Sequence, residues 1–130
     1  KGTNTALLPK EGKIHWNILA LHNLVDGISE NTMPVIAEKI FRPENEWWKA
    51  RHEQVHERNF RSFQQLEAAL DEFGTALNLG TITAVCFIDW WLFRADKMDI
   101  DLTKHFPHLT NWATEMNKKY DVLAETIPTI

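Results

Sequence analysis

Apolar residues recur at intervals of three and four through most of this chain, and no stretch sustains period-2 alternation. The pattern therefore predicts helices and no sheet. A first helix is expected from about 13 to 41, with Ile14, Ile18, Leu21, Val25, Ile28 and Val35 along one stripe. Pro34 lies inside it, and its missing N–H predicts a kink or break near 31–33. Arg42-Pro43-Glu44-Asn45 interrupts the periodicity, with Asn45 the expected N-cap of a second helix over 46–73. That helix carries Trp48, Val55, Phe63, Leu66, Leu70 and Phe73 at helical spacing, with charges between them. Gly74 and Gly80 bracket a loop before a third helix, 81–94.

The third helix differs in kind. Ten of the twelve residues from 82 to 93 are apolar, so no side of the wheel is left polar. A helix of that composition belongs in the middle of a bundle. After an acidic loop, Phe106 and Pro107 open a fourth helix, with Pro107 suited to its first turn and Leu109, Trp112 and Met116 facing inward. Residues 1–12, with breakers Gly2, Pro9 and Gly12, read as a linker, and 13–130 as one helical domain.

Composition narrows the picture. A chain of 130 residues with 44% apolar content suits a single domain, and six Trp with seven Phe predict a core rich in aromatics. The formal charge of −4 gives no electrostatic reason to expect nucleic acid or an anionic membrane as partner. The longest apolar stretch would reach only ~20 Å as a helix, short of a ~30 Å bilayer core, so no membrane span is expected. Cys86 has no second cysteine to pair with, which favours a reducing compartment and a cytoplasmic location. The start, KGTNTALLPKEG, has neither a secretory signal nor an initiator Met. It reads as a piece of something longer or a processed product.

One stretch invites chemistry. His52-Glu53-Gln54-Val55-His56 matches H-E-x-x-H, in which two histidines one turn apart hold zinc and the glutamate acts as base. A working site needs a third ligand and a dry cavity. The extended form would want Gly at 59 and His at 62, where Asn59 and Ser62 stand, and Arg51, Arg58 and Arg61 crowd the same helix. The polar face of an amphipathic helix is the expectation, with no metal bound. Cys86 is expected to be a buried, inert thiol. Asp89, a carboxylate in an apolar helix, needs a hydrogen-bond partner or an exit to water. No nucleophile elbow and no Gly-rich phosphate loop is present, so local chemistry stops at an all-helical domain.

Longer stretches carry more. GTITAVCFIDWWLFR (80–94), HFPHLTNWATEM (105–116) and ETIP (125–128) together resemble the C-terminal helical domain of glutathione transferases, and most of all the bacterial glutathione-transferase-like subgroup. Phe106, Pro107, Leu109 and Trp112 match one motif, and Thr126 and Pro128 another. LVDGI (24–28) and RSFQQLE (61–67) are similar to two more, in the same order. The chain departs from the family at Ala84, where an Asp three residues after Thr81 would complete a capping box. Asp89, Leu92 and Asp121 also replace the usual residues.

The resemblance implies an all-α bundle of two long antiparallel helices, a buried central helix and a shorter fourth. It implies a parent protein that conjugates glutathione, its co-substrate, to small hydrophobic electrophiles. Glutathione binding and thiol activation would belong to a thioredoxin-like N-terminal domain absent from this chain, so no catalytic residue and no cofactor is expected here. The hydrophobic co-substrate wall would come from Trp16, Ala20, Asn23 and Leu24. A homodimer is expected, because the first two helices usually share the dimer contact and one neighbour cannot cover Ile14, Ile18, Leu21 and Val25. The alternative is a non-catalytic interaction module of the same fold.

Overall fold

The computed structural model describes residues 7–128. Two long helices come first, α1 (Lys13–Phe41) and α2 (Lys49–Phe73), separated by a 3-10 turn at Glu44–Glu46. The central helix α3 (Leu79–Phe93) follows. After a 3-10 turn at Ala95–Lys97 come α4 (Leu102–His105), α5 (Pro107–Lys119) and α6 (Asp121–Ala124). There is no strand among the described residues, nor any helix long and apolar enough to cross a membrane. The end of α1 meets the start of α2 through Glu38 and His52, while the start of α1 lies beside the end of α2. The pair is therefore antiparallel. α1 packs along both α2 and α3, and α3 also touches α5 and α6. This is the all-α bundle that the patterning and the resemblance imply.

An aromatic cluster ties the layers together. Phe63 of α2 is fully buried and meets Trp91 of α3 edge-on, with ring centroids 4.9 Å apart. Phe106 packs on Phe63 at 5.6 Å and Phe87 on Trp91 at 5.7 Å. Edge and tilted contacts of this kind add ~0.5–1.5 kcal/mol per pair beyond area burial. Trp91 donates its indole N–H to the carbonyl of Ile100, and Trp112 donates to that of Gly74, at 3.0 and 2.7 Å. Both polar handles are thus satisfied inside the core.

Several expectations need correction. Of the kink or break expected at Pro34 the break does not occur: α1 is one helix through that residue. Pro34 and Glu30, whose carbonyl loses its partner, both sit on the exposed side, where water can serve the freed oxygen. Asn45 does not cap α2; the cap is Trp48, whose N–H donates to the Glu38 carboxylate of α1 at 2.7 Å. Cys86 is exposed, because the helices around α3 leave its sector uncovered. Trp90, Leu92 and Phe93 are only partly buried. Of the α1 stripe, Ile18, Leu21 and Val25 are buried by α2 and α3 acting together, and Ile14 alone stays 45% exposed.

The loop before α3 ends earlier than its glycines suggest. Gly80 lies inside α3, which Asn78 caps: its side chain accepts from Thr81 N–H while Thr81 Oγ1 accepts from Asn78 N–H, both at 2.9 Å. A capping box therefore exists without an Asp at 84, shifted so that Thr81 is its third residue rather than its first. Gly80 is needed there. A Cβ on it would lie 3.0 Å from both the Ile18 carbonyl and Leu21 Cδ2, so the glycine sets how closely α3 approaches α1.

Candidate functional site

Two concave regions carry the residues in question. The first lies between the start of α1 and the end of α2. Ile14, Asn17, Ala20, Leu21 and Leu24 face Ala69, Glu72 and Phe73 across a hollow of about 310 Å³. Its α1 side repeats at i, i+3 and i+4, as a helix presenting one face must. Of the four residues that the resemblance assigns to a co-substrate wall, Ala20 and Leu24 line this hollow. Trp16 and Asn23 lie on the adjoining outer face with Ala20, at i, i+4 and i+7. Trp16 is 67% exposed, and its only aromatic neighbour among the described residues is the His15 ring, at 4.9 Å. Phe73 and Ala69 escape sequence reasoning because they come from the far end of α2. Phe73 was legible there only as the last apolar residue of the second helix's stripe, before Gly74, with nothing to pair it with the start of α1.

The second region is an open cleft of about 750 Å³ where the end of α1, the turn after it, the start of α2 and the 95–99 segment meet. His52 and His56 are on its wall, both half-buried. His52 Nε2 lies 2.8 Å from Glu38 Oε1, and its ring lies tilted against Trp47 with centroids 5.6 Å apart. Among the described residues no three His, Cys, Asp or Glu side chains converge as a metal ligand set. The Trp48 N–H, with His52 and Arg42 nearby, holds the Glu38 carboxyl below its ordinary range against an opposing push from burial. Across the cleft, Lys39 forms an ion pair with Asp99 and donates to the Lys97 carbonyl at 3.1 Å.

Asp89 has the partner its position demanded. Asn117 Nδ2 donates to its Oδ2 at 3.0 Å, although partial burial still pushes its carboxyl above the ordinary range.

No family model matches this chain, and no curated protein matches it. A solved structure does. It is a glutathione transferase family member from Pseudomonas fluorescens Pf-5 with bound S-(propanoic acid)-glutathione, superposing with a TM-score of 0.80 over 95% of this chain at 25% identity. The chain has the fold of a glutathione-transferase C-terminal helical domain. It spans 62% of the length of that structure. Of the motif positions that carried the resemblance, Phe106, Leu109 and Trp112 are core positions and Pro107 opens α5, while Thr126 is exposed. The H-E-x-x-H histidines belong to its α1–α2 end, at the opposite end of the helix pair from the Trp16 face.

Proposed function

We propose that this domain is the co-substrate-binding and dimerising part of a glutathione transferase whose thioredoxin-like domain binds glutathione. The parent protein joins the glutathione thiol to small hydrophobic electrophiles in the cytoplasm. What carries this reading is the start of α1: Trp16, Ala20 and Asn23 form an exposed face beside the hollow that Ala20 and Leu24 line, on a fold like that of a transferase structure holding a glutathione conjugate. An apolar wall with few polar groups suits a small hydrophobic ligand. Further exposed apolar side chains stand along α1 at Met33, Ile40 and Phe41, the last 82% exposed, and offer contacts to a second copy.

The test is a titration of the chain with an aryl halide electrophile, followed by the Trp16 indole N–H resonance. Binding that Trp16→Ala and Leu24→Asp each weaken supports the reading. Resonance shifts confined to other parts of the bundle would refute it. The chain by itself is expected to show no conjugation above background, since no thiol-activating residue is assigned to it.

A further inference from the structure

The hollow between the start of α1 and the end of α2 has a chemical bias that an apolar wall alone would lack. Six of its eight lining side chains are apolar, and the other two are Asn17 and Glu72. Both of these are exposed, and neither side chain has a hydrogen bond or an ion pair among the described residues. Their polar atoms are therefore free to meet a ligand.

The charge in this hollow comes from one side chain. The start of α1 and the end of α2 lie side by side, so the positive and negative ends of their dipoles offset each other. Lys13, one turn before Asn17 on α1, and Asp71, beside Glu72 on α2, are not among the lining side chains. The last turn of α2 carries no basic residue. Glu72 thus leaves the hollow negative at one edge. Next to it stands the half-buried Phe73, an aromatic ring of the kind that attracts a cation over its face. A volume of about 310 Å³ is at the small end for ligand sites, with room for one aromatic ring and a short substituent.

We propose that this hollow selects single-ring aromatic ligands that carry a cationic group, and disfavours rings of the same shape that carry a carboxylate. The ring lies against Leu24, Ala69 and Phe73, and the ammonium is directed to Glu72. This rests on the co-substrate reading of the α1 wall and names the class of electrophile within it: an aryl halide with an alkylammonium substituent. An ammonium group is compact and has three donors, enough for both the Glu72 carboxylate and Asn17 Oδ1. A carboxylate has no donor and meets Glu72 as a like charge. Because Glu72 is exposed, water and salt screen it, so the preference is modest.

Three aryl chlorides of one shape test it: 4-chloro-3-nitrobenzylamine, cationic near neutral pH, the neutral 4-chloro-3-nitrobenzyl alcohol, and the anionic 4-chloro-3-nitrobenzoate. Each is titrated into the 130-residue chain at low salt and followed by NMR at the Asn17 side-chain amide. The amine is expected to bind about threefold tighter than the alcohol, and the benzoate about threefold weaker than it. Added salt should narrow that spread. Glu72→Gln, a change at an exposed position, should bring the three affinities together, and Glu72→Lys should reverse their order. Equal affinities in the unsubstituted chain, or an order that Glu72→Gln leaves intact, would overturn the selectivity. If Leu24→Asp still weakened all three probes in that case, the co-substrate wall would stand without it. Binding of none of the three, or shifts confined to other parts of the bundle, would overturn both.

Discussion

The two ends of the long helix pair are built on different physics. Where α1 begins, it is held by close packing: α3 approaches so closely at Gly80 that a Cβ there would press on the Ile18 carbonyl and Leu21, and the Asn78–Thr81 capping box finishes the helix start in a buried setting. Where α1 ends, it is held by charge and hydrogen bonds. Glu38 accepts from both Trp48 N–H and His52, and Lys39 bonds to Asp99 and Lys97, around an open cleft. Apolar packing is insensitive to pH and salt but intolerant of added volume. Polar latches exposed to solvent behave the other way round, and are individually weak. Volume changes should thus be felt at one end of the bundle, and changes of charge at the other.

That contrast can be broken most directly in the core between the two ends. Trp91→Ala is expected to cost about 3–5 kcal/mol in urea unfolding, since it removes a buried ring from the Phe63–Phe87 cluster. Trp90→Ala should cost clearly less, its ring being half-buried. Equal losses would mean that the aromatic cluster is not the organising core.

Gly80→Ala should destabilise by about 1–3 kcal/mol through overpacking. Gly27→Ala makes the comparison sharp: a Cβ there meets nothing within 4 Å, so helix propensity should stabilise the protein by up to about 1 kcal/mol. Opposite signs for the same substitution are the expected result; matching signs would remove the close approach of α3 to α1 from the account. Asn78→Ala should cost about 1 kcal/mol by loss of the cap, with thermal unfolding as the readout.

The smallest effects are in pH dependence, and they too differ in sign. The folded-state pKa of Glu38 is lowered, so its contribution is present above the ordinary carboxylate range and fades as pH falls through it. Glu38→Gln should flatten the acid limb of the stability curve. Asp89 is shifted up, so its contribution is present at acid pH and is lost as pH rises through its raised pKa. Relative to Asp89→Asn, the parent protein should lose stability as pH climbs from the ordinary carboxylate range toward neutrality. A parallel pair of curves would show that burial and Asn117 cancel at this site.

Local order was legible from the chain alone, for a physical reason: helix period, breaker residues and the largely apolar run of 82–93 are properties of neighbours in sequence. They placed α1 over Lys13–Phe41 and put α3 at the centre. The motif residues Phe106, Leu109 and Trp112 were readable because core positions of a fold keep their character. What depended on tertiary packing was everything set by residues distant in sequence. Pro34 leaves α1 unbroken because its side of the helix faces solvent. Cys86 is exposed because no helix covers that sector of α3, and Ile14 because its stripe outruns its neighbours. Trp48 begins α2 only because Glu38, ten residues earlier, is folded back within 2.7 Å of its N–H. The orphaned oxygen of Asn59 is the clearest case. Nothing in the stretch around it says that one amide edge will be satisfied by Thr32 and the other left without a donor among the described residues, since that is decided by how α1 crosses α2.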